Sequence, residues 1–87
     1  MKWTILFTRQ AKKDAKKIVS AGLRPNVEQL LQILSENPFQ TPPSFEKLVG
    51  DLAGAYSRRI NIRHRLIYEI LQGPKVVKII RMWTHYE

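Results

Sequence analysis

The sequence predicts an α/β (α+β) fold in the order β-α-α-β-β-β, a helical hairpin laid on a sheet. Three observations carry this. A short β-branched and aromatic run, Trp3–Phe7, opens the chain; two stretches with apolar residues at helical spacing follow; the last third alternates with period two. With 87 residues the chain is about 0.6 of a 150-residue domain, so residues 1–87 are read as a single domain with one small core. An apolar share of 44% suffices for that core and argues against wholesale disorder.

Each element has its own signal. Thr8 stands where a helix N-cap belongs, and Ala11, Ala15, Ile18 and Val19 then recur at helical spacing. Lys12, Lys13, Lys16 and Lys17 fall on the other side, and Gly22 suits the residue just past the helix end. Pro25 fits the first turn of a second helix, whose stripe is Val27, Leu30, Leu31 and Leu34. Asn37-Pro38 ends it, and a loop with Pro42 and Pro43 follows. From Tyr56 to Ile70 the even positions are mostly apolar and should face the helices. The odd positions, among them Arg59, Arg63 and Arg65, are mostly polar and basic. A turn near Asn61–Arg63 would shift this phase. Gln72-Gly73-Pro74 is a turn, and Val76–Trp83 is the last strand of a meander.

Composition excludes several chemistries. There is no cysteine, hence no disulfide, thiolate metal site or thiol nucleophile. Only His64 and His85 are imidazoles, which argues against a zinc site, and no metal or other cofactor is expected. The apolar run near the start is too short for a signal-peptide core or a membrane span, so a cytoplasmic protein without a membrane partner is expected. The net charge of +8 is unevenly spread. Residues 1–24 carry seven basic and one acidic residue, 25–54 one basic and four acidic, and 55–87 seven basic and two acidic. Two basic segments around an acidic middle point to a polyanion, nucleic acid first, or to an acidic protein. Guanidiniums crowded on one sheet face repel one another and call for anions, and their planar fork fits phosphate; the alternative is a face paired with Glu46, Asp51 or Glu69, or covered by a partner chain.

The chain also resembles a known family. Glu46-Lys47-Leu48, Asp51-Leu52-Ala53-Gly54, Tyr56-Ser57-Arg58-Arg59-Ile60, His64-Arg65-Leu66-Ile67-Tyr68 and the final His85-Tyr86 follow, in order and spacing, the pattern of YoeB/Txe toxins. These belong to the RelE-like group of toxin–antitoxin systems. Trp83 and Thr84 stand where members often carry an Arg and an aromatic. The resemblance implies a microbial-ribonuclease fold, a twisted and mainly antiparallel sheet backed by two helices. It implies a ribosome-dependent endoribonuclease that cuts mRNA in the decoding site. The implied partners are the 70S ribosome with its mRNA and rRNA and a cognate antitoxin, YefM/Phd-like, with an acidic C-terminal segment. The helical side is a candidate homodimer surface. By the same resemblance Glu46 is the general base, Arg65 the phosphate stabiliser, His85 the general acid, Tyr86 its catalytic or orienting neighbour, and Arg59 a supporting cation.

The residue types suit that chemistry. Cleavage through the ribose 2′-OH needs a base, an acid and cations around a pentavalent phosphorane, which a carboxylate, an imidazole and guanidiniums supply without a metal. The products would be a 2′,3′-cyclic phosphate and a 5′-hydroxyl. Arg63, Lys12, Lys13 and Lys16 are candidates for RNA backbone contacts, and Trp83 for base stacking, although its packing at the sheet edge is the favoured reading. His64, on the apolar parity, is read as packed or hydrogen-bonded. The alternative is a RelE/ParE-like toxin or nucleic-acid-binding module acting without RNA cleavage. A small ribosomal RNA-binding protein would explain the charge but not the terminal His-Tyr.

Overall fold

The computed structural model describes residues 2–41, 44–48, 50 and 54–85, with Trp83, Thr84 and His85 as strand backbone. Among them the elements are β1 (Thr4–Phe7), α1 (Arg9–Ser20), α2 (Arg24–Glu36), β2 (Glu46–Lys47), β3 (Tyr56–Arg59), β4 (His64–Leu71) and β5 (Val76–His85). The strands form one sheet in the order β1-β5-β4-β3-β2. β1 runs parallel to β5, and every other neighbouring pair is antiparallel. The expected order therefore holds with one addition, the two-residue edge strand β2. Two residues are too few to show any periodicity; pairing with Tyr56 and Ser57 is what makes them a strand.

Helix α1 begins and ends as its sequence dictates. The Thr8 hydroxyl accepts the Ala11 N–H at 3.1 Å, the predicted N-cap. At the far end the Leu23 N–H reaches the Ile18 carbonyl at 3.0 Å and the Gly22 N–H that of Val19 at 3.1 Å. This double closure requires a left-handed residue, and Gly22 supplies it at a φ of 75°. A Cβ at Gly22 would meet nothing within 4 Å among the described residues, so its penalty is conformational. Gly22→Ala should cost about 1–2 kcal/mol and lower the thermal midpoint by several degrees. An unchanged midpoint in a melting experiment would show that this turn does not hold the end of α1.

The helices cover one face of the sheet. Ala11 and Ile18 of α1 and Val27, Leu30 and Leu34 of α2 pack with Ile60, Leu66, Tyr68, Val77, Ile79 and Met82 into one buried cluster. The even-position expectation survives on β4, but Ile62 is 88% exposed because the turn between β3 and β4 lifts it out of the strand. The opposite face is not wholly open, since Ser57 and Ile67 are buried there.

The pairing of β4 with β5 slips twice. Arg65 faces Thr84, Ile67 faces Arg81 and Tyr68 faces Ile79, so β5 carries two more residues than β4 over this interval. An extra residue in one strand reverses its alternation, and Met82 rather than Arg81 follows Ile79 into the core. Helix α1 clamps the irregularity. The Thr8 hydroxyl donates to the Ile80 carbonyl at 2.8 Å, and Asp14, fully buried, accepts the Met82 N–H at 3.1 Å. Gln10 donates to the other Asp14 oxygen at 2.9 Å, and Arg81 Nε lies 3.9 Å from the carboxylate. A backbone donor left over by the slip is thus satisfied from the helix layer.

Candidate active site

Three adjacent strands bring the charged residues together on the sheet face away from the helices. β2 presents Glu46 beside Ser57 of β3, and Arg59 at the end of β3 lies directly opposite Arg65 of β4. Glu46 reaches across β3 to Arg65: its Oε1 accepts from Nη1 at 2.8 Å. The Arg65 side chain is 22% exposed and that of Glu46 68%. Arg59 and Arg65 are like charges at a directly paired position, an unfavourable arrangement that one carboxylate only partly offsets. The residual positive charge is what a phosphate would neutralise.

These residues line a cleft of 230 Å³ together with Ser44 and Ser57. The Arg65 hydrogen bond, then its charge, and to a lesser degree the charge of Arg59, hold the Glu46 carboxyl below its ordinary value of 4.5. Glu46 is therefore ionised across the physiological range, a state that can accept a proton but does so weakly while Arg65 holds it.

The cleft gathers Glu46, Arg59 and Arg65 but not every residue singled out in the sequence. Arg63 is exposed in the turn between β3 and β4, where Asn61 Oδ1 accepts its N–H at 2.8 Å. Lys12, Lys13 and Lys16 are exposed on α1, in the layer on the other side of the sheet, so they do not line the cleft. The backbone of His85 pairs with His64, one residue from the position opposite Arg65, and Trp83 lies two residues earlier on β5. Tyr86 and the Asp51-Leu52-Ala53 part of the family pattern lie outside the described residues. Among the described residues no three His, Asp or Glu side chains come together as metal ligands, and no helix is long and apolar enough to cross a membrane.

Two polar residues of structural weight escaped the sequence reading. Ser57 lines the cleft and was passed over between its charged neighbours, although its odd parity matches that of Arg59 and Arg65. Arg58 has the inward parity and is 1% exposed. Its Nε–H donates to the Tyr68 hydroxyl at 2.9 Å, and Nη2 donates to the carbonyls of Pro38 at 2.9 Å and Gln40 at 2.8 Å. The guanidinium also lies 4.9 Å from the centre of the Phe45 ring. Arg58 thereby ties the loop after α2, which leads into Glu46, to the floor of the sheet. Burial pushes the Tyr68 hydroxyl above its ordinary value of 10.0, with Arg58 opposing.

Comparison with known proteins converges on one group. The model of the family described as the YoeB-like toxin of bacterial type II toxin–antitoxin systems matches residues 7–86. Toxin YoeB of Streptomyces coelicolor is 40% identical over 60 residues, 69% of each chain. The YoeB/ParE toxin structure from Agrobacterium tumefaciens superposes with a TM-score of 0.85 at 26% identity, covering 95% of this chain and 99% of that one. The toxin of a heterotetrameric YoeB–YefM complex from Staphylococcus aureus does so with a TM-score of 0.80 at 31% identity, covering 99% and 100%.

Proposed function

The chain belongs to the YoeB-like toxins of bacterial type II toxin–antitoxin systems, and from that membership we propose that it is an endoribonuclease cleaving mRNA on the ribosome. The observation that supports this reading is the Glu46–Arg65 contact at 2.8 Å with Arg59 opposite, a carboxylate and two guanidiniums in one cleft.

In the proposed reaction the Glu46 carboxylate removes the proton of a ribose 2′-OH. The 2′-oxygen attacks the adjacent phosphorus, and Arg65 and Arg59 neutralise the charge that builds on the phosphorane oxygens. The bond to the 5′-oxygen then breaks and His85 protonates the leaving oxygen, with Tyr86 beside it orienting the substrate. A 2′,3′-cyclic phosphate and a 5′-hydroxyl result. Arg65 must release Glu46 to take the phosphate, and that release removes the main influence that keeps the carboxyl acidic. Substrate binding thus strengthens the base at the moment it is used. The exposed lysines of α1, with Arg63 and Trp83, would lie along rRNA and mRNA rather than at the reacting atoms.

The proposed partner in the resting state is a YefM-like antitoxin with an acidic segment that folds on binding, matching the chain's net charge of +8. A YoeB–YefM complex from Staphylococcus aureus supports this assignment. The site of action on this reading is the cytoplasm.

The test is induction in a bacterial host with mapping of mRNA 5′ ends, using the Glu46→Gln/His85→Gln double variant as control. Cuts inside translated regions bearing 5′-hydroxyls, absent from the control, are expected. Growth arrest with intact mRNA would overturn the ribonuclease reading and point to a protein target.

A further inference from the structure

We propose that Ser57 is a substrate-binding residue whose hydroxyl donates a hydrogen bond to a non-bridging oxygen of the scissile phosphate. The proposal rests on the ribonuclease reading for the identity of that phosphate and on the structure for the site. Ser57 Oγ is buried and has no hydrogen-bond partner among the described residues. Buried hydroxyls almost always have one, so the exception needs a reason. Its place supplies one. Ser57 is 1% exposed yet lines the cleft that Glu46, Arg59 and Arg65 also line. It is paired with Glu46 on one side and with Ile67 on the other, two residues along β4 from Arg65.

The Glu46–Arg65 ion pair spans β3 between the levels of Ser57 and Arg59. A phosphate that draws Arg65 away from Glu46 enters at the same point, and the hydroxyl lies at the base of the space it enters. Neither arginine can serve as acceptor for this hydroxyl. A phosphate oxygen can, and the bond would be charge-assisted. Three donors of different reach, two guanidiniums and one short hydroxyl, would then fix the phosphate in position as well as in charge. An alanine would fill nearly the same volume, so the fold alone gives no reason for a hydroxyl here.

The experiment compares wild type with Ser57→Ala in two readouts. The first is binding of an RNA oligonucleotide with a single 2′-deoxy residue at the cleavage position, which keeps the phosphate and blocks the reaction. The second is thermal unfolding. The expected result is about ten- to hundredfold weaker binding, the size of one hydrogen bond to a charged group, with an unchanged or raised melting midpoint. In cleavage assays the loss should appear in KM, and Ser57→Thr, which keeps the hydroxyl, should bind better than Ser57→Ala.

Equal binding by wild type and Ser57→Ala would overturn the proposal, including the case in which the hydroxyl contacts the 2′-OH instead. A lowered melting midpoint in Ser57→Ala would overturn it in favour of a structural role. Cleavage that depends on Glu46 but not on Ser57 would sink this site alone. Ser57-dependent binding by a protein that cleaves no mRNA when ribosomes are present would sink the ribonuclease reading and leave the phosphate site standing.

Discussion

Glu46→Gln is expected to slow RNA cleavage by about 10²–10⁴-fold while leaving the fold intact. Glutamine keeps the shape of the side chain and can still accept the Arg65 hydrogen bond through its carbonyl oxygen. It cannot take a proton at any useful pH. The side chain is exposed, so little packing is at stake. Single-turnover cleavage with a melting curve on the same sample checks both halves, and a variant that cleaves at the wild-type rate would remove Glu46 from the mechanism.

The pH dependence follows from the same contact. A carboxyl whose folded pKa lies below its unfolded value is ionised above both, and its favourable interactions disappear as pH falls through the folded pKa. Arg65 and Arg59 depress Glu46 below 4.5, so the acid limb of cleavage in the free enzyme should fall below pH 4.5. In Arg65→Gln the principal cause is gone. The limb should move upward toward 4.5 while the maximal rate falls for want of the proposed phosphate-binding cation. A limb that stays in place would mean that Glu46 is not the titrating base.

Arg58→Ala should destabilise the fold by about 3–5 kcal/mol, because several buried acceptors lose their donor at about 1–3 kcal/mol each. Domains of this length have only about 4–13 kcal/mol in all. The carbonyls of Pro38 and Gln40 and the Tyr68 hydroxyl all lose their donor. The removed side chain also leaves a void against Phe45. Arg58→Lys should recover little, since an ammonium on a single stem cannot serve three acceptors in a fixed plane. Urea unfolding measures the effect. A loss under about 1 kcal/mol would place Arg58 among ordinary surface-type contacts.

The neighbouring arginines illustrate how much of the protein was legible in its sequence. Arg59 and Arg65 were readable because alternation assigns a face without knowing the partner strand, and their shared parity became direct pairing. The helices were readable from spacing, down to Thr8 and Gly22, because caps are local events. Arg58 was not, since nothing local says that a loop twenty residues earlier will offer two carbonyls. Asp14 was hidden in the same way: its bond to the Met82 N–H joins it to a strand 68 residues away, where the register slips. Ile62 was misplaced because a turn, not a strand, sets its direction. Glu46 was placed by family likeness, while the strand that holds it is too short to leave a pattern. Local rules predicted the elements; the polar features that depend on contacts distant in sequence needed the fold.

The position of β5 has a consequence for synthesis. It is the last of the described elements to be made, yet it lies between β1 and β4. It brings Val77, Ile79 and Met82 to the core and receives the clamp from Thr8 and Asp14. A nascent chain that has emerged only as far as Lys75 has both helices but no strand joining β1 to the remaining sheet. Its apolar helix faces have no closed surface to rest on, and the long-range pairing must wait for the final segment. Joining β1 to the rest of the sheet therefore waits for β5. A message broken before the codon for Val76 yields a product without a closed sheet, so interrupted synthesis of this toxin should be harmless to the cell that attempts it.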